Sequence, residues 1–286
     1  VSPVNVIPAH IPAEDLKTFG TLESYEEYIE HQARDSRELL EKYRAAKVHD
    51  PTLSKEYKAA MKPIMVTACW GEAQTASQIA QIITKTNKPS VQYFYTTHAI
   101  DETRHTQIEW RRIQDLGLAD ALDVPKEQTE LFRFVNGLPT FLEIVYGQVC
   151  TLEAYSAHVL FNSIIDLARA HGDLATAATY EHVMHDEVRH IGTGLRLVNE
   201  GIETAPDPEE ARFRILDLEE KLLPITIRKL GRESIIAQSL YDAGLIGSKA
   251  KFEEDGWRQF KIFRSKITAL PPMRFVGPLP EPAAVG

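Results

Sequence analysis

The chain has 286 residues, 43% of them hydrophobic, and a formal net charge of −9 at pH 7. That length and composition suit a globular protein of one large domain or two small ones, and basic residues scattered among more numerous acids exclude a nucleic-acid surface. Two cysteines exclude a disulfide framework, and with neither a basic-then-apolar leader nor an uncharged run of eighteen residues the expectation is a cytoplasmic protein that does not cross a membrane.

Residues 1 to 20 hold three prolines and little periodicity, which predicts an extended arm. A helix is predicted from Ser24, where Glu27 completes a capping box, to about Lys47, its many charges forming a solvated face. Two more are predicted, from after Pro63 to about Thr86 and from Ser90 to Leu116, separated by the stop signal Asn87-Lys88-Pro89. The segment Gly117 to Pro139, with an apolar stretch from Leu131 to Val135, is read as a long crossover connection. Helices from Pro139 to Ala170 and from Asp173 to Asn199 follow, separated by Gly172 with Asp173 as a cap. Asp207-Pro208-Glu209-Glu210 then opens a series of helices at 208–230, 232–244 and 249–268, and Pro271, Pro272, Pro278, Pro280 and Pro282 mark an extended tail. The expected organisation is a single domain, 1–286: a core bundle at about 63–200, an N-terminal arm and helix at 1–62, C-terminal helices at 207–269 and a tail at 270–286.

Chemistry is concentrated in one pattern, D-E-x-R-H, which occurs at Asp101–His105 and again at Asp186–His190. Residues three apart share a helical face, so Glu102 with His105, and Glu187 with His190, each aim a carboxylate and an imidazole at one point. Glu72 stands thirty residues before Glu102 and Glu153 thirty-four before Glu187, with a turn signal midway in each interval. Equal arms folded about a turn return to the same height, so each half is an antiparallel helix pair carrying Glu opposite Glu-x-x-His. Asp101 and Asp186 suit acceptors for the remaining N–H of metal-bound imidazoles, and Arg104 and Arg189 suit partners for those aspartates.

Charge supports the same site. Four buried carboxylates repel one another unless protonated or neutralised, and two divalent cations neutralise four. Four Glu and two His are too rich in oxygen for structural zinc and offer no thiolate, a donor set that suits iron first and manganese next.

From Glu72 through His190 the order Glu, E-x-x-H, Glu, E-x-x-H, with D-E-x-R-H at both E-x-x-H positions, resembles the ferritin-like di-iron carboxylate proteins of the oxygen-activating branch. That branch includes the bacterial multicomponent monooxygenase hydroxylases and the ribonucleotide reductase small subunits, and the resemblance spans about residues 65 to 200. It implies an all-α, ferritin-like four-helix bundle carrying a dinuclear metal site, with extra N- and C-terminal helices. Carried over by position, the metal ligands are Glu72, Glu102, His105, Glu153, Glu187 and His190, and Asp101, Arg104, Asp186 and Arg189 match the pairs behind them.

The implied activity is that of an O2-activating di-iron monooxygenase, acting on carbon or nitrogen, that inserts an oxygen atom into a small, largely apolar organic substrate. An Mn/Fe or Fe/Fe oxidase like the ribonucleotide reductase small subunits is the alternative, and non-catalytic iron storage is third. Two irons, or manganese with iron, are the expected cofactors. O2, the substrate, an electron donor such as a reductase or ferredoxin, and a second copy of the chain are the expected partners, with no nucleic acid and no membrane.

Three positions depart from the pattern or add to it. Ala157 stands where the hydroxylases carry Thr, and Glu109 where the common ribonucleotide reductase subunits carry Tyr. His98, one turn before Glu102, is a candidate seventh ligand or a residue that orients one of the six. His182 and His185 fall off the ligand face and are read as surface or packing residues. Cys69, Tyr95, Ile108, Tyr146, Val149, Cys150, Ala154 and Ala157 are candidates for lining a substrate pocket.

Overall fold

The computed structural model describes residues 22–119 and 124–273, apart from the side chains of residues 22–27 and Ser156. The predicted N-terminal arm and nearly all of the predicted tail lie outside the described residues. Among the described residues every regular element is helical: α1 (Leu22–Lys47), a 3-10 turn (Asp50–Thr52), α2 (Lys55–Thr84), α3 (Pro89–Asp115), α4 (Lys126–Asn136), α5 (Phe141–Tyr146), a π-helix (Gly147–Ala157), α6 (His158–Ala170), α7 (Leu174–Glu203), α8 (Pro208–Leu230), α9 (Ile235–Asp242) and α10 (Lys249–Arg264). No helix among them is long and apolar enough to cross a membrane.

Helix starts follow local chemistry. Asp173 accepts the backbone N–H of Thr176 at 3.0 Å, and Asp207 accepts those of Glu209 and Glu210 at 3.1 Å each. The predicted turn at Gly172 is present, with φ of 76°, where glycine lacks the Cβ that would strain it.

Several expectations are corrected. α1 begins at Leu22, so Ser24 stands inside its first turn. α2 begins at Lys55, eight residues before Pro63, because Ser54 Oγ caps it by accepting Tyr57 N–H at 3.1 Å. Tyr57, Ala60 and Met61 are buried ahead of the proline, and that packing outweighs the missing N–H, which in an isolated helix costs about 3 kcal/mol. The apolar stretch read as crossover is helical: Gln128, Leu131, Phe132 and Val135 form the buried stripe of α4, a helical spacing hidden by flanking Pro and Gly. The helix predicted from Pro139 to Ala170 starts at Phe141 and is split by the π-helix. Toward the C-terminus α9 and α10 are shorter than predicted.

The chain forms two compact units, and α5, α6 and α7 contribute residues to both. The first comprises Val1–Asp123, Pro139–Phe141 and Phe161–Val188. In it α2 and α3 make the predicted hairpin, closed by Gln92 Nε2 donating to Thr86 O at 2.8 Å. The fully buried Arg112 ties three segments together. It donates to both oxygens of Asp50 at 2.6 and 2.7 Å, to Asp173 Oδ1 at 2.6 Å and, through Nε, to Thr176 at 2.7 Å, while Tyr57 donates to Asp173 at 3.1 Å.

The second unit comprises Val124–Leu138, Leu142–Leu160 and Arg189–Gly286. Its polar centre is Glu219 on α8, which accepts from Tyr146 and from Arg264 Nε at 2.5 Å each. Around it the rings of Tyr155, Trp257 and Phe260 meet at centroid separations of 5.6 to 6.1 Å.

Removing one partner of a buried ion pair strands the other, so Arg112→Ala should cost about 3–5 kcal/mol. Urea denaturation measures this directly, and a loss under 1 kcal/mol would show that the network is not structural.

Candidate metal centre

The first unit brings together Glu72 from α2, Glu102 and His105 from α3, and Glu187 from α7, each no more than 5% exposed, with donor atoms all within 4.8 Å of one another. His105 Nδ1 lies 3.0 Å from Glu72 Oε2 and 3.9 Å from Glu187 Oε1. Its Nε2 lies 3.0 Å from Asp186 Oδ2. Arg104 donates to Asp186 and, at 3.4 Å, to Asp101, and Tyr28 donates to Asp101 at 3.0 Å. His98 Nε2 sits 3.0 Å from Glu102 Oε1, also buried.

The second unit holds Glu153, in the π-helix, and His190, with a carboxylate oxygen and a ring nitrogen within 4.8 Å of each other. Both are buried, at 3% and 1% exposure. Gln148 Nε2 donates to Glu153 Oε1, and Arg189 lies 3.2 Å from His190 Nε2. One turn beyond His190, Gly194 lets α7 close on the π-helix; a Cβ there would stand 2.7 Å from Val149 Cγ2.

The electrostatics of the first cluster ask for a cation. Burial alone would depress the His105 imidazole, but hydrogen bonds to Asp186 and Glu72, with their charges, push it up to about 10. In the metal-free chain an imidazolium thus stands among carboxylates, and Nδ1 is the atom through which a metal would replace its proton. Burial, with the charges of Glu109 and Glu72, pushes the Cys69 thiol up, and the cluster of donor atoms contains no cysteine. Carboxylate oxygen and imidazole nitrogen without thiolate fit iron or manganese.

No protein-family model and no curated protein matches the chain. Solved structures do. An R2-like ligand-binding oxidase with an Mn/Fe cofactor is 16% identical at a TM-score of 0.62, over 82% of this chain and 92% of that one. A point mutant of an R2-like ligand-binding oxidase, also reconstituted with Mn/Fe, gives 16% and 0.60, over 81% and 93%. Phenol hydroxylase from Pseudomonas sp. OX1 gives 18% and 0.57, over 88% of this chain and 53% of the hydroxylase chain. The fold is ferritin-like.

Within this ferritin-like helical fold the residues singled out from sequence can be placed. Asp186, from the second D-E-x-R-H run, accepts from His105 of the first, the predicted imidazole-to-aspartate bond made across the two motifs. His98 is positioned to hold the Glu102 carboxylate. His182 is half-buried and lies 3.0 Å from Arg104 Nη1, so it belongs to the polar network, and burial followed by the Arg104 charge lowers it to about 4. His185 is exposed and stacks on His31 at 5.8 Å.

Of the pocket candidates, Cys69, Tyr95, Tyr146, Val149, Cys150 and Ala154 are buried, whereas Ile108 and Ala157 are half-buried. Tyr95 stacks on His98 at 5.8 Å, Cys69 Sγ donates to Thr106 O at 3.7 Å, Val149 packs on Gly194, and the Tyr146 hydroxyl is engaged by Glu219.

Two residues near the ligands were not read as functional from sequence. Gln148 carries no signal that would have marked it. Glu109 does, being one turn after His105 on the Glu102–His105 face, but it registered only as a missing Tyr. It is fully buried, neither carboxyl oxygen has a hydrogen-bond partner, and burial, then the Glu72 charge, pushes its pKa well up, with His105 opposing and Glu187 adding.

A raised carboxyl pKa stabilises the fold below the ordinary value of 4.5 and withdraws that stability as pH rises toward the folded value. The Glu109 contribution to the stability of metal-free protein should therefore fall as pH rises above the ordinary carboxyl range, so that between pH 5 and pH 8 wild type should lose stability relative to Glu109→Gln. Denaturant midpoints at the two pH values test this, and an equal change in both proteins would contradict it. A crowded Gly194 should likewise be felt: Gly194→Val is expected to cost about 1–3 kcal/mol, measured by the same midpoints.

Proposed function

We propose that Glu72, Glu102, His105, Glu153, Glu187 and His190 form one dinuclear centre and that the protein is an O2-activating oxidoreductase of the monooxygenase type. The observation that carries this is the set of three carboxylates and one imidazole, fully buried with donor atoms within 4.8 Å, in a fold shared with a phenol hydroxylase and an Mn/Fe oxidase. Bound as a pair, iron, or manganese with iron, would supply reduction of O2. The chain supplies placement and dryness.

Asp186 fixes which His105 nitrogen faces Glu72, and Arg104 in turn fixes Asp186. His98 and Gln148 hold Glu102 and Glu153. The expected substrate is small and organic, with electrons arriving from a reductase or ferredoxin and a homodimer as the assembly.

One observation favours a second reading, an oxidase that acts on a bound ligand or on its own side chain. Mutual coverage is nearly complete for the R2-like oxidase but reaches only 53% of the phenol hydroxylase chain.

Metal analysis and single turnover separate the readings. The wild type should carry two metals per chain, and Glu102→Ala and His190→Ala should fall well below stoichiometric loading while keeping a helical circular dichroism spectrum. Two-metal loading retained in both variants would refute the ligand set. Reduced protein exposed to 18O-labelled O2 should transfer label to an added organic substrate. Oxidation confined to the protein itself would favour the oxidase.

A further inference from the structure

Beneath the cluster in the first unit lies a second layer of polar groups whose needs the chain does not meet. Three cross-helix contacts, His105 to Asp186, Arg104 to His182 and Arg112 to Thr176, set α3 and the first half of α7 antiparallel. In that register Glu109 stands opposite Tyr180. On the α2 side the contact from Cys69 Sγ to Thr106 O places Cys69 at nearly the same height. One helical turn separates Glu109 from His105, so this layer lies about 6 Å along the axis from the donor cluster.

Glu109 and Tyr180 are both 0% exposed, and neither carboxyl oxygen of Glu109 nor the Tyr180 hydroxyl has a hydrogen-bond partner. A buried polar group left so costs about 1–3 kcal/mol, and native chains leave few of them. The cation one turn further along is already committed: Arg112 serves Asp50, Asp173 and Thr176. Cys69 donates its S–H to a backbone carbonyl. The Glu109 carboxyl and the Tyr180 hydroxyl, each able to donate and to accept, therefore stand beside the cluster without a hydrogen-bond partner among the described residues.

We propose that Glu109 and Tyr180 form a substrate-recognition subsite that takes the N–H or O–H group of a small amine or hydroxyl compound. The inference rests on the dinuclear oxygenase reading and names its substrate class. A site built to hydrogen-bond such a group discriminates strongly against the analogue that lacks it, because its own buried polar groups are then stranded. Glu109 would orient the substrate by its heteroatom and so set which neighbouring atom faces the metals.

Phenol, aniline and toluene are nearly isosteric and differ in the donor. Binding of each to metal-loaded protein, measured by calorimetry with metal content assayed in parallel, is the test. Phenol and aniline should bind at least tenfold more tightly than toluene. Glu109→Leu should abolish that preference with two metals retained, and Tyr180→Phe, which removes one hydroxyl and leaves the ring, should reduce it at least threefold. Equal binding of the three probes, no binding of any, or a preference that survives in both variants would overturn the proposal; equal binding would mean that the pair serves water only. Repeating the comparison on metal-free protein keeps the two ideas apart. A wild type that loads no metal pair but still prefers phenol would sink the dinuclear centre and leave the subsite standing.

Discussion

The constraint on which the first unit depends is the mutual repulsion of carboxylates that its helices hold together in a dry interior. Glu72, Glu102 and Glu187 have donor atoms within 4.8 Å of one another, and Glu109 adds a fourth acid within electrostatic reach. At such spacing in low dielectric, like charges cannot all ionise without a counter-charge. The metal-free chain answers with one proton on His105, which its carboxylate neighbours hold up to about 10, and with a carboxyl at Glu109 that stays protonated well beyond the ordinary range. Both are substitutes for a cation. A fold that accepts this penalty in its core and surrounds it with a bonded shell of Asp186, Arg104, Asp101, His98 and Tyr28 is organised to receive one.

That shell also gives three of the Asp and Arg residues of the two D-E-x-R-H runs a role. Their Glu and His are needed by the donor set, but three residues of spacing would suffice for those alone. The Asp and Arg matter because Asp186 serves His105 from the other motif and Arg104 bridges Asp186 and Asp101. The second motif therefore orients the imidazole of the first, and loss of Asp186 would loosen His105 on a different helix. Arg112 performs the corresponding task at the other end of the unit, joining the 3-10 turn, the end of α3 and the start of α7, so the polar layers are clamped from two sides.

Much of this was legible in the residues because helix spacing and hairpin symmetry are local, periodic properties. Pairing of Glu72 with Glu102 and His105 followed from equal arms about Asn87–Pro89, and the turn at Gly172 followed from the need for positive φ. What escaped was set by tertiary context. Pro63 reads as a helix start, yet residues from Tyr57 onward are buried and carry α2 through it. The α4 stripe is an ordinary amphipathic pattern masked by three punctuating residues. Glu109 was visible at i+4 from His105, but nothing local says that a Glu on a helix face will be buried without a partner, since that depends on which side chains α2 and α7 place opposite.

The π-helix is the element least predictable from sequence and the one with the clearest local rationale. A π turn breaks the i to i−4 hydrogen-bond ladder and is rarely stable unless packing compensates. Here it spans Gly147–Ala157 and contains Glu153. Three contacts within the second unit compensate. Gly194 lets α7 approach until Val149 is in contact, the Tyr155 ring is gripped by Trp257 and Phe260, and Thr151 returns its hydroxyl to the Gly147 carbonyl. Gln148 then reaches Glu153 from five residues back, the separation that a π turn, and not an α turn, brings onto one face. The widened turn thus sets a carboxylate beside His190 with its own amide to hold it. A regular α-helix through the same residues would rotate Glu153 off that face and leave Gln148 without its partner.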